Sequence, residues 1–91
     1  MSQEIHSYVV GECAKLPNLT LEESESLRGK LSMALSTDKL MVSIEVTGEY
    51  TCDILVVDFE TEDVISSETV DCKSSDEIKV FISHQLNSTQ K

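Results

Sequence analysis

A chain of 91 residues, 40% apolar and only 4% aromatic, holds one domain with one modest, mostly aliphatic core, burying about 60–70% of its unfolded surface. Its formal net charge of −10 repels nucleic acid and anionic membrane and attracts basic partners. No apolar run approaches the ~20 residues that span a bilayer, and Met1 to Ala14 lacks the basic and apolar regions of a secretory signal, so a cytoplasmic protein is expected.

From the N-terminus, Gln3–Lys15 places Ile5, Tyr8, Val9 and Cys13 at near-helical spacing, with Leu16 beyond. Gly11 and the pair Val9-Val10 leave a strand over Ser7–Cys13 as the competing reading. Pro17 ends either one, because the residue before proline avoids the α region. Thr20 then reads as the cap of a helix, with Glu23 completing a capping box and Leu27, Leu31, Ala34 and Leu35 forming its apolar face. Within it Gly29 costs about 1 kcal/mol relative to alanine. Ser36-Thr37-Asp38 ends it.

Leu40–Thr47 alternates with period two: Leu40, Val42, Ile44 and Val46 against Met41, Ser43, Glu45 and Thr47, the pattern of a half-buried strand. Gly48-Glu49 is the turn. Tyr50–Glu60 is a second strand around Ile54-Leu55-Val56-Val57. A two-residue turn puts Val42 beside Leu55, and a three-residue turn puts Val46 beside Cys52 or Tyr50, so its buried face is open. After Glu60-Thr61-Glu62-Asp63, Val64–Cys72 makes a third strand whose polar residues suit an exposed edge. Ser74 and Glu77 form a second capping box for a helix burying Ile78, Phe81, Ile82 and Leu86. Asn87–Lys91 is a polar tail expected to fray.

The expected order is α-α-β-β-β-α in a single domain over residues 1–91. The fold class is α+β, a two-layer sandwich whose three-stranded antiparallel meander is packed on one face by helices. The run from Thr20 to Leu86 is similar in element order to the double-stranded-RNA-binding domain. That family grips phosphates with lysines where this chain has Ser74-Ser75-Asp76-Glu77, so the likeness stops at element order and direct nucleic-acid binding is not expected.

Three glycines make no phosphate cradle, and no Gly-x-Ser-x-Gly elbow is present. Cys13, Cys52 and Cys72 are odd in number and read as free thiols. With His6 and His84 they contain no close pair of metal-ligand spacing, so neither metal nor cofactor is expected. Catalysis or redox sensing would centre on Cys52 or Cys72; Cys72 stands beside Lys73 at a helix start, but Asp71, Asp76 and Glu77 surround it. Asp53 and Asp58 flank the most apolar strand and are the only carboxylates there resembling an acid–base pair. No catalytic residue is expected, and no enzyme.

The remaining signal is charge. Between Glu45 and Glu77 stand eleven acids against Lys73 alone, while the rest of the chain balances. Strand spacings of ~4.8 Å across and ~7 Å along a sheet set carboxylates roughly at the phosphate spacing of DNA. The expectation is a non-enzymatic protein binding a basic partner, such as a nuclease or nucleic-acid-binding protein, in the manner of an inhibitor, immunity protein or DNA mimic. Glu45, Glu49, Glu60, Glu62, Asp63 and Glu68 are the candidate contacts. The alternative is a homo-oligomeric structural or regulatory module, a homodimer paired through the Val64–Cys72 edge, and the second alternative is a thiol-based small enzyme or sensor, with no membrane in any case.

Overall fold

The structure is a computed structural model that describes residues 2–47 and 49–89. Helix α1 (Ser2–Lys15) is followed by strands β1 (Thr20–Leu27), β2 (Lys30–Ser36), β3 (Leu40–Val46), β4 (Thr51–Asp58) and β5 (Val64–Asp71), then helix α2 (Ser75–Ser88). The strands form one antiparallel sheet in the order β1-β2-β3-β4-β5. Both helices lie on the same side and run parallel, Glu4 beside Ser75 and Lys79 and Glu12 beside Ser83. No helix among the described residues is long and apolar enough to cross a membrane.

This corrects the expected α-α-β-β-β-α order and three-stranded meander: the order is α-β-β-β-β-β-α, with a five-stranded sheet. The error lies in Thr20–Leu35, a β-hairpin rather than a helix. Leu31 and Leu35 are four apart, a spacing that suits a helix face and a strand face equally. Met33 between them decides: Leu31, Met33 and Leu35 are buried, and Ser32 and Ala34 are only partly covered. Leu27, assigned to the helix core, is 62% exposed. Gly29 is a turn residue. Arg28 and Gly29 take φ of 52° and 77°, the paired positive values that a two-residue type I′ hairpin requires. With no helix there, the resemblance to the RNA-binding domain ends as well.

Of the two readings of Gln3–Lys15 the helix holds, burying Ile5 and Val9 one turn apart. In β4 the three-residue turn holds. Thr47 pairs with Thr51, Val46 with Cys52 and Val42 with Val56, and Tyr50 closes the turn at φ 63°. Gly48, expected in that turn, lies outside the described residues. The buried face of β4 is therefore Cys52, Ile54 and Val56. β5 is an edge strand, as its composition suggests. At α2 the Ser74 hydroxyl accepts the Glu77 N–H, and the Glu77 carboxylate takes the Lys73 N–H. Asn87 and Ser88 belong to α2, and residues 90 and 91 of the expected tail lie outside the described residues.

The core lies between helices and sheet: Ile5, Val9, Ile78, Ile82 and Leu86 above, and the inward residues of β2, β3 and β4 below. No polar or charged residue is buried among the described residues. Each fully buried aliphatic side chain there contributes about 1.5–3 kcal/mol. Phe81 is only half-buried and Phe59 is exposed, so the core is aliphatic.

Candidate protein-binding face

The sheet's second face has no helix over it. Register puts its residues into rows that run across the strands. One row is Glu23–Ala34–Ser43–Leu55–Ser67, and the next is Glu25–Ser32–Glu45–Asp53–Thr69. Glu45 and Asp53 are direct partners, an arrangement that costs stability because like charges face each other. Each turns to a different neighbour. Glu45 pairs with Lys30 at 3.3 Å, and Asp53 accepts the Thr69 hydroxyl. Glu22, the extra residue of a bulge in β1, accepts the Ser36 hydroxyl at 2.7 Å on this same face.

Toward the β4–β5 loop the rows turn apolar. Met41 pairs with Val57 and Val57 with Val64, Leu55 of β4 and Phe59 just beyond its end flank Val57 along the chain, and the Phe59 N–H bonds the Lys39 carbonyl at 2.9 Å. Met41, Leu55 and Phe59 are 44%, 38% and 46% exposed, far more than an enclosed strand face allows. Met41, Phe59 and Ala34 border a shallow concavity of about 480 Å³ whose acidic side is Glu22 and Glu23. Apolar residues rimmed by carboxylates form the usual core and rim of a protein contact.

The six carboxylates expected to act together are dispersed. Glu45 lies on the uncovered face and Glu49 in the β3–β4 turn at one end of the sheet. Glu60, Glu62 and Asp63 sit in the β4–β5 loop at the other end, next to the Phe59 patch. Glu68 pairs with inward-facing Ile54, and its carboxylate bonds Gln85 of α2 at 2.7 Å, so it belongs to the helix side. Glu22, Glu23 and Glu25 were missed because a supposed helix start explained them. The alternation of Leu31, Met33 and Leu35 just after them was the available signal.

Charge divides by layer. The sheet with its loops, residues 16–72, carries thirteen carboxylates against Arg28, Lys30 and Lys39, which equals the whole net charge. The helical segments with their flanks, residues 1–15 and 73–91, balance with four acids against Lys15, Lys73, Lys79 and Lys91. Their seam neutralises itself through Lys79 to Glu4 at 2.6 Å, with Tyr8 and Ser83 on Glu12.

The other candidates have structural settings. Asp58 caps the β4–β5 loop, accepting the Thr61 and Glu60 N–H groups, and these bonds hold its carboxyl below the usual range. It is turned away from Asp53, so the two do not form an acid–base pair. Burial pushes the Cys52 thiol up to about 12, and burial raises Cys13 and Cys72 as well, Cys72 with help from Glu77 and Asp71. His6 bonds the Ser24 hydroxyl at 2.7 Å. Among the described residues no group of three or more His, Cys, Asp or Glu is placed to hold a metal. No protein-family model matches the chain, and no curated protein or solved structure shows significant similarity to it.

Proposed function

We propose that this protein is a non-enzymatic interaction module that binds a basic protein through the uncovered face of its sheet. The observation that carries the reading is the segregation of charge. The full net charge lies in the sheet layer, and the same layer exposes the apolar patch of Met41, Leu55 and Phe59 around half-buried Val57. A uniformly solvated face needs no such patch. A basic partner gains steering from Glu22, Glu23, Glu25 and the Glu60–Asp63 loop, and affinity from burying the patch. A nuclease or nucleic-acid-binding protein has the matching chemistry, and inhibition by occupying its anion-binding surface is the role that follows. The setting is the cytoplasm, in keeping with three free cysteines.

The test is capture from nuclease-treated lysate on the intact chain, eluted by a salt gradient and compared with two variants. One basic protein released at moderate salt is expected, because the attraction is screened over ~10 Å at 0.1 M. Glu22→Lys with Glu23→Lys should abolish its retention, and Met41→Ser with Phe59→Ser should weaken it about tenfold or more. Retention indifferent to salt and to both variants would refute the proposal.

A further inference from the structure

The two edges of the sheet differ. β1 is blunted by its bulge, and α1 lies against it through the His6–Ser24 bond. β5 has a neighbour on one side only, and it overhangs α2, which packs on β4. The Cys72 N–H bonds the Tyr50 carbonyl at 2.9 Å. By the alternation of an antiparallel ladder, the N–H groups of Val70, Glu68 and Ser66 then point to β4. Those of Asp71, Thr69 and Ser67 point out of the sheet, with no backbone partner among the described residues.

Beside this edge, on the helix side, runs an open groove of about 580 Å³ between β5 and α2. Its walls are apolar: Val70 of β5 and Cys72 just after it, Val80 and Phe81 from α2, with His84 further along. Val80 is 69% exposed. The Glu68–Gln85 bond bridges strand and helix at 2.7 Å. Asp76 and Glu77 of α2 add an acidic lining.

We propose that an extended segment of a basic partner adds to the free edge of β5 as a sixth strand, setting alternate apolar side chains into the groove against α2. This rests on the basic-partner reading above and gives it a docking mode. A strand's side chains alternate between faces, so those not in the groove emerge on the uncovered face beside Ser67, Thr69 and Asp71, where lysine or arginine meets the acidic sheet. The segment recognised alternates aliphatic and basic residues. Charge chooses this occupant over a second copy of the chain. A copy paired through the same edge would bring a further net charge of −10 against an already acidic sheet.

The probe is an acetylated, amidated hexapeptide of alternating lysine and valine, titrated into the isotope-labelled full chain and followed by amide NMR. The expected shifts fall on Ser67, Thr69 and Asp71 and, across the groove, on Val80 and His84. Two further peptides, N-methylated at the lysines or at the valines, test backbone pairing. In a strand only one of these sets of amides faces β5, so one peptide should lose binding and the other keep it. Val80→Glu, a substitution at an exposed helix position, should weaken binding about tenfold.

Equal binding of both methylated peptides, or no shifts at millimolar peptide, overturns strand addition. Shifts confined to Met41, Leu55 and Phe59 also overturn it while leaving the basic-partner reading standing. Failure of the lysate capture with normal peptide shifts removes that reading and leaves the edge site. Sedimentation showing a dimer that the peptide cannot dissociate assigns the edge to a second copy and refutes the proposal.

Discussion

The two faces of the sheet use the same strands to opposite ends. Ile54 is 1% exposed and packed among aliphatic side chains, and Leu55, the next residue, is 38% exposed in a row containing Glu23 and Ser67. On the inner face of β2, β3 and β4 the buried residues are all apolar, and no polar or charged residue is buried among the described residues. On the outer face Glu45 is set directly against Asp53, and Met41 and Phe59 meet water. Stability is therefore concentrated on one face, and the other tolerates arrangements that folding alone does not favour.

The sharpest way to break this contrast is at adjacent positions. Ile54→Ala should cost about 2–5 kcal/mol in urea unfolding, through lost burial and the cavity left behind. Leu55→Ala should cost less than about 1 kcal/mol, because its side chain keeps much of its hydration. Similar losses at both sites would mean that the outer face is covered in solution.

Alkali tests the inner face alone. The Cys52 thiol is raised to about 12 when folded, against ~8.5 for a free thiol. The folded state thus holds its proton more tightly, and this contribution is complete below pH ~8.5 and lost as pH rises toward 12. Between those limits the wild type should lose stability about 1.4 kcal/mol per pH unit faster than Cys52→Ala. Parallel urea midpoints from pH 8 to 11 for the two proteins would show the thiol to be hydrated.

On the outer face the sign reverses. Glu45→Thr removes a like-charge pair and adds a good strand residue, so it should stabilise by about 0.2–1 kcal/mol, less in high salt. A loss of stability would show that the Lys30–Glu45 pair outweighs the repulsion.

The helix seam gives the smallest effect. The Ser83 hydroxyl bond holds the Glu12 carboxyl below its ordinary value, offset by partial burial and aided by Tyr8 and Lys15. A depressed carboxyl contributes stability above its unfolded value, and that stability is lost as pH falls through the folded one. Glu12→Gln should flatten the acid limb of the stability profile slightly while leaving it unchanged near neutrality. An unchanged acid limb would show that these bonds do not persist in water.

How far the fold was legible follows the same division. Leu40–Val46 could be read because a strand with one wet face alternates cleanly. α2 could be read because Ser74 and Glu77 mark its start. The hairpin Thr20–Ser36 was misread because Leu31 and Leu35 satisfy two periods at once. Threonine and glutamate at its start also imitate a helix cap, which here has no helix to follow. Of the candidate face, Glu45 and the Glu60–Asp63 loop were visible as acids. Their separation, and the inclusion of Glu22, Glu23, Glu25, Met41 and Phe59, were not.

By itself the sequence determined the amount and sign of the charge, the aliphatic character of the core, the strand at Leu40–Val46 and the start of the last helix. These depend on composition or on periods within one element. Only the tertiary structure decided which side of β4 is buried, which acids share a face, and that β5 ends the sheet beside an open groove. Those properties depend on register between strands and on which layer covers which face. Pairing energies spread over distant residues set them, and no local pattern records them.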